Sequence, residues 1–200
     1  MGVKIEGNNI VIVNDKYDKW QEEQIQKGYE SGVDVCIYSK PEFDARQMAE
    51  IREGLEAGLD VSIYAKSIYT FAKMHQLRLG LEAGIDVTTY ADPMLSKEQM
   101  ELIRLDLESD TGIDVGLYAD SKFNLEQMKE IRAGLKSESP IDVALYADAE
   151  YDEEQMCEIR LGLEAGLDVN AYANTNICAE KMNQMRMDML NHCTSGIGIL

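Results

Sequence analysis

One phrase recurs six times along this chain at nearly fixed spacing, and nothing else in the sequence limits its fold as strongly. Tyr38, Tyr64, Tyr90, Tyr118, Tyr146 and Tyr172 are 26, 26, 28, 28 and 26 residues apart. Met48, Met74, Met100, Met128, Met156 and Met182 keep the same intervals, as do Arg52, Arg78, Arg104, Arg132, Arg160 and Arg186. A period of this length marks supersecondary units that are too thin to bury an apolar face alone and must stack on their neighbours.

Residues 43 to 66 (FDARQMAEIREGLEAGLDVSIYAK) serve as the type repeat. Phe43, Met48, Ile51 and Leu55 follow helical spacing and form one apolar stripe. The column Asp18, Asp44, Thr70, Ser96, Asn124, Asp152 and Cys178 opens each stripe, and six of these seven residues have a side-chain oxygen suited to an N-cap. Gln21, Gln47, Gln99, Gln127 and Gln155 stand three residues later and complete capping boxes; Lys73 and Lys181 fill the same place elsewhere. Gly32, Gly58, Gly84, Gly112 and Gly166 occupy the left-handed position just past a helix end. A first helix from about Asp44 to Ala57 follows from these signals.

The second element is shorter. Asp34, Asp60, Asp86, Asp114, Asp142 and Asp168 are each followed by Val, two variable residues and Tyr. Read as a helix, the Asp is the cap and Val61, Tyr64 and Ala65 share a face. Read as a strand, Leu59, Val61 and Ile63 alternate, although an Asp inside every strand is unfavourable. The expected fold is therefore an all-α solenoid of stacked long-helix/short-helix repeats. The alternative is a leucine-rich-repeat-like α/β solenoid with a short strand per repeat. With layers about 8 to 10 Å apart, seven of them give an expected extent of roughly 60 to 70 Å.

The expected organisation is an N-terminal β-hairpin cap over 1–16, six repeats of 26 to 28 residues over 17–176, and a C-terminal capping helix with an apolar tail over 177–200. The hairpin rests on VKIEGNNIVIV at 3–13, and the closing GIGIL is apolar. Both ends offer strand edges, so a homodimer through terminal strands is a conceivable assembly.

Formal net charge is −18. Direct nucleic-acid binding rests on clustered Lys and Arg, and an anionic membrane repels such a chain, so neither is expected. No run of 18 apolar residues and no cationic-then-apolar leader is present in the sequence, which leads to the expectation of a cytoplasmic protein. Cys36, Cys157, Cys178 and Cys193 fall at unrelated places in the repeat and form no C-x-x-C pair, which fits reduced thiols better than disulfides or zinc.

The pattern F-D-x-x-Q-M-x-x-I-R-x-G-L-E-x-G-L-D-V-x-x-Y-A, present as FDARQMAEIREGLEAGLDVSIYA and YDEEQMCEIRLGLEAGLDVNAYA, resembles a repeat of bacterial and phage-borne proteins of unassigned role. It covers about residues 17 to 190. The resemblance implies residence in bacteria or on mobile elements. It supplies no activity and no site residues.

Each possible chemistry has a structural counterpart. The arginine column is expected to be a ladder that bonds the Asp60 column or helix-end carbonyls, because ligand-reading residues vary along an array. Gln26 replaces Arg in the first repeat. The Asp60 column is expected to cap and not to bind metal, and the Tyr column to be core and not a stacking platform. His75 and His192 have no spacing that pairs them with a thiol, and no phosphate loop or hydrolase motif occurs. No enzymatic activity, cofactor or metal is expected.

Charge is the one uneven property. Asp148, Glu150, Asp152, Glu153, Glu154 and Glu158 place six acids within eleven residues, whereas 61–81 holds Lys66, Lys73 and Arg78 and no acid. The acidic cluster is the candidate docking patch for a basic protein surface, set against the alternative of a solvated helix start. The expected function is a phage or mobile-element inhibitor of a nucleic-acid-handling defence protein, of DNA-mimic type. The alternative is a general protein-binding scaffold with specificity in variable positions such as Ala49, Glu50, Glu53, Ser62 and Ile63. Eighteen net charges over about 65 Å is one per roughly 3.6 Å, against one per 1.7 Å or so in duplex DNA, so mimicry requires the charges to be gathered on one face.

Overall fold

The computed structural model describes residues 16–109 and 112–195, with the side chains of 193–195 excepted, and the backbone of two short segments near the N-terminus. Those segments, β1 (Val3–Glu6) and β2 (Asn9–Ile12), pair antiparallel with Val3 opposite Ile12. The expected hairpin cap is not supported: the turn and all side chains of 1–15 lie outside the described residues. So does the GIGIL tail, and with it any dimer through terminal strands.

The body of the chain is helical. It divides into two compact units, Met1–Glu108 and Ser109–Leu200. The first holds α1 (Lys19–Ser31), α2 (Ala45–Glu56), α3 (Phe71–Glu82) and α4 (Lys97–Glu108). The second holds α5 (Leu125–Leu135), α6 (Glu153–Glu164) and α7 (Ala179–Ser195). Within each unit every helix packs on the next in sequence, as a helical repeat requires.

The helix starts are built as the sequence indicates. Asp44 Oδ1 accepts from Arg46 N and Gln47 N, while Gln47 Oε1 accepts from Asp44 N at 2.8 Å. Asp18, Ser96, Asn124 and Asp152 form the same reciprocal box with their glutamines. At the far end Leu59 N donates to Gly54 O and Gly58 N to Leu55 O, a Schellman closure that needs φ near +72° at Gly58.

The second element is a short helix capped by its Asp, as the favoured reading expects, and not the strand of the alternative, but its type is 3-10. Val61–Ile63 is neither a strand nor an α-helix but a single 3-10 turn, repeated at Val35–Ile37, Val87–Thr89, Val115–Leu117, Val143–Leu145 and Val169–Ala171. Length explains this. The eleven residues from Leu59 to Tyr69 must run back along a helix of twelve, which is about 18 Å. As an α-helix they would reach only about 16 Å, so a tighter-wound turn followed by open chain is needed. The Asp does cap this element, as Asp60 Oδ1 accepts from Ser62 N at 3.0 Å.

The Met, Ile/Leu and Tyr columns form the core of each unit; Met48, Ile51 and Tyr64 are all 0% exposed. The Tyr64 hydroxyl passes over its own helix and donates to Glu50 O at 3.2 Å. It can do so because Gly54 has no side chain: a Cβ there would stand 1.9 Å from Tyr64 Oη and 2.9 Å from Val61 Cγ1. Gly28, Gly80, Gly134 and Gly162 make the same space. In α4 the position is held by Asp106, which is itself buried.

Gly54→Ala is expected to cost about 1 to 3 kcal/mol, the range for overpacking a filled site. Combining it with Tyr64→Phe should recover part of that loss, a coupling readable by urea denaturation of the two single variants and the double variant. Burial also raises the hydroxyl pKa of Tyr38, Tyr64, Tyr90, Tyr146 and Tyr172 above the ordinary value of about 10. Their contribution is whole below pH 10 or so and is lost as pH rises toward the folded values, because the unfolded chain releases these protons first. An alkaline titration should therefore show the tyrosinate absorbance of the buried set appearing together with loss of helical circular dichroism, not before it.

Candidate functional site

Successive helices in each unit run parallel, and side chain to main chain ties hold their starts level. Gln21 Nε2 donates to Phe43 O at 2.6 Å and Gln47 Nε2 to Tyr69 O at 2.6 Å, and Lys73 Nζ donates to Pro93 O at 2.7 Å. In the second unit Gln127 reaches Tyr151 O and Gln155 reaches Ile177 O. Each acceptor lies one residue, or for Pro93 three residues, before the next N-cap position. The capping-box residue thus also fastens its repeat to the following one, a role its spacing does not announce. Each unit consequently has one edge made of helix starts and another made of helix ends with their 3-10 turns.

The arginine column is a ladder, but not to the partners expected from the sequence. Arg78 Nε donates to Glu50 Oε2 of the preceding helix at 2.8 Å, and its other nitrogens meet Glu53 at 3.1 Å and Glu82 one turn on. Arg52 reaches Gln24, Arg104 reaches Gln76, Arg160 reaches Glu130 and Arg186 reaches Glu158. The acceptors lie six residues past each N-cap, not in the Asp60 column. They are amide in some repeats and carboxylate in others, and the missing constancy concealed them in the sequence. Gln26, in the arginine position of α1, donates to Glu30 instead.

His75 is partly buried: its Nδ1 lies 3.2 Å from Glu50 Oε2 and 3.2 Å from Arg78 Nη2. Cys157 belongs to α6, where burial, followed by the nearby Glu130, raises its thiol pKa and disfavours the thiolate. Cys36 and Cys178 are exposed, and the side chain of Cys193 lies outside the described residues. Among the described residues, no group of three or more His, Cys, Asp or Glu side chains is placed to hold a metal ion. No described helix is long and apolar enough to cross a membrane.

The acidic cluster lies on the helix-start edge of the second unit, and its six carboxylates have different tasks. Asp148 Oδ1 accepts from Glu150 N, and Asp152 caps α6. Glu158 is committed to Arg186 and Asn183. Glu153 takes a long bond of 3.4 Å from Asn124. Glu150 and Glu154 are exposed, and Glu154 stands beside a shallow groove of about 420 Å³ that Glu158, Glu180 and Asn183 also line.

A second acidic feature is missed when the Asp60 column is read only as a set of caps. Asp34, Asp60 and Asp86 in the first unit, and Asp114, Asp142 and Asp168 in the second, are all exposed on the helix-end edge. The turns that carry them, VDVCIY, LDVSIY, IDVTTY, IDVGLY, IDVALY and LDVNAY, contain no Lys or Arg. The capping backbone N–H donates to Oδ1 at Asp34, Asp60 and Asp86. Bonds from the Ser62 and Thr88 side chains, then from their backbone N–H groups, hold the Asp60 and Asp86 carboxyls below the usual carboxylate range. The absence of cations from these turns was visible in the sequence; their alignment on one edge was not.

No family model, curated protein or solved structure matched the chain.

The Arg ladder should matter to stability where exposed pairs do not. Arg78→Met leaves Glu50 partly buried with only His75 beside it, and a loss of about 2 kcal/mol is expected, less than the 3 to 5 kcal/mol of a fully buried pair. Lys27→Met removes an exposed pair with Glu23 and should change stability by about 0.5 kcal/mol or less. Urea midpoints of the two variants test the contrast.

Proposed function

We propose that this chain is a non-enzymatic acidic repeat protein, each unit a segment of α-solenoid, that binds a basic macromolecular surface in the cytoplasm of a bacterial or phage-infected cell. The net charge of −18, on a repeat that resembles one of bacterial and phage-borne proteins, motivates the finer reading of an inhibitor of a nucleic-acid-handling defence protein, of anti-CRISPR or anti-restriction type. The observation that carries this reading is the helix-end edge, with one exposed aspartate per repeat and no cation in the turns between.

Magnitudes define what such an edge can imitate. Parallel helices stack about 8 to 10 Å apart, whereas phosphates along one DNA strand are about 3.4 Å apart in axial rise. The row therefore answers every second or third phosphate of a strand. That is sufficient for a protein that reads DNA through spaced Lys and Arg contacts, and too sparse to reproduce the full field of a duplex. The cluster Asp148, Glu150, Asp152, Glu153, Glu154 and Glu158 adds a second anionic face in the second unit, with Glu150 and Glu154 its available members.

The test is inhibition of purified restriction endonucleases and CRISPR effector nucleases by the intact chain. Inhibition should fade near 0.5 M salt, where the Debye length falls to about 4 Å. The variant carrying Asp34→Asn, Asp60→Asn and Asp86→Asn keeps its caps, because Asn caps as well as Asp. It should weaken inhibition by roughly 3- to 150-fold, from three exposed contacts worth about 0.2 to 1 kcal/mol each.

One feature favours the alternative, a general protein-binding scaffold. Trp20 is 64% exposed beside a groove of about 480 Å³ between α1 and α2, floored by Ala45 and Ala49. A partner whose binding survives salt and the triple Asn variant but is lost with Trp20→Ala would select this reading.

A further inference from the structure

The helix-start edge of the first unit differs in kind from the rest of the chain. Ile68 and Met94 are 66% and 77% exposed, and they occupy the same position in consecutive repeats. The Tyr69 hydroxyl donates to Ala91 O at 2.6 Å and Lys73 Nζ to Pro93 O, so the two loops lie side by side. Phe71 opens α3 beside them, and the Arg46 guanidinium from α2 covers its ring at 4.7 Å. Lys66 is exposed next to Ile68. Of the acids at this edge, Asp92 caps Met94 N and Asp44 caps α2, while Glu42, in the position of Ile68 one repeat earlier, and Glu98, in the first turn of α4, are exposed. Arg46, Lys66, Ile68, Phe71 and Met94 thus make an apolar, cationic corner on a chain of net charge −18.

The same corner before α6 carries the opposite chemistry, position for position. Lys66 corresponds to Asp148, Ile68 to Glu150, Phe71 to Glu153 and Ala72 to Glu154. We propose that the corner formed by Arg46, Lys66, Ile68, Phe71 and Met94 is a self-recognition surface that receives the acidic corner Asp148–Glu154 of a second copy of this chain. Three observations select a second copy as the occupant. Its acidic corner is built on the same loop, so the two surfaces match in form. It supplies carboxylates where this corner supplies guanidinium and ammonium groups. The long methylene stems of the glutamates can lie on the exposed Ile68 and Met94 while their charged ends meet Arg46 and Lys66. Elsewhere two such anionic chains repel, which leaves this as a place where copies can approach. The contact is heterologous, so further copies can add unless it closes into a reciprocal pair.

The test needs only the intact chain, so it can fail without bearing on the inhibitor reading. Mass is measured by light scattering from low-micromolar to near-millimolar concentration at about 0.15 M salt, where a Debye length of about 8 Å screens long-range repulsion and leaves contacts intact. The expected result is mass rising above the 22.5 kDa of one chain. Lys66→Asp with Ile68→Glu gives the loop before α3 residues that the loop before α6 already carries, so the fold tolerates them; circular dichroism checks this. The variant should lose association. Adding Asp148→Lys and Glu150→Ile exchanges the two corners and should restore it, which general stickiness would not do. A wild-type chain that stays monomeric throughout overturns the proposal, as does association that survives the first pair of substitutions or is not restored by the exchange.

Discussion

The arrangement of each unit depends on one recurrent tie: the side chain three residues past each N-cap donates to the main chain just before the next helix. Gln47 accepts from Asp44 N with one end of its amide and gives a proton to Tyr69 O with the other. A residue saturated in this way fixes two helix starts at one level and leaves no buried amide unsatisfied. Where Gln is absent, Lys73 provides the donor but cannot accept, and Thr70 caps α3 without the return bond. Parallel helices, two chemically distinct edges and level rows of side chains all follow from that alignment.

The core was legible because its columns are constant. Met48, Ile51 and Tyr64 recur with their spacing, and constancy of an apolar residue at helical intervals has few interpretations other than burial. The caps and the Schellman glycines were legible for a related reason: each is a local contract between residues a few positions apart. The 3-10 turn was not, because Asp-Val-x-x-Tyr satisfies local rules for a helix start and for a short strand alike. Only the distance the chain must cover to regain the next helix start decides between them. The partners of the arginines escaped because the acceptor column reads Gln24, Glu50, Gln76, Leu102, Glu130 and Glu158, which looks like a surface without a rule. A contact between repeats needs only an acceptor atom, so its residue type drifts while its donor does not.

Net charge alone described the surface poorly. Glu50, Glu130 and Glu158 are absorbed by the ladder, and Glu56, Glu82, Glu108 and Glu164 each face an arginine one turn earlier. These acids contribute to the total and little to what a partner would meet. The turn aspartates and the loop at 148–154 remain outward, while the loop at 66–73 carries none. One backbone presents anionic turns at one edge and, at the other, corners that range from cationic and apolar to purely acidic.

Parallel packing has an electrostatic effect that no single residue reveals. A helix carries about half a positive charge at its start and half a negative charge at its end, and antiparallel neighbours cancel these. Here, within a unit, they add side by side. The turn aspartates sit where the backbone is already negative, whereas the capping acids sit where it is positive and are partly offset. Each unit therefore has a transverse electric moment, directed across the row of helices. A charged molecule diffusing toward it would be rotated before contact, and its orientation on arrival would be set by peptide groups that never touch it.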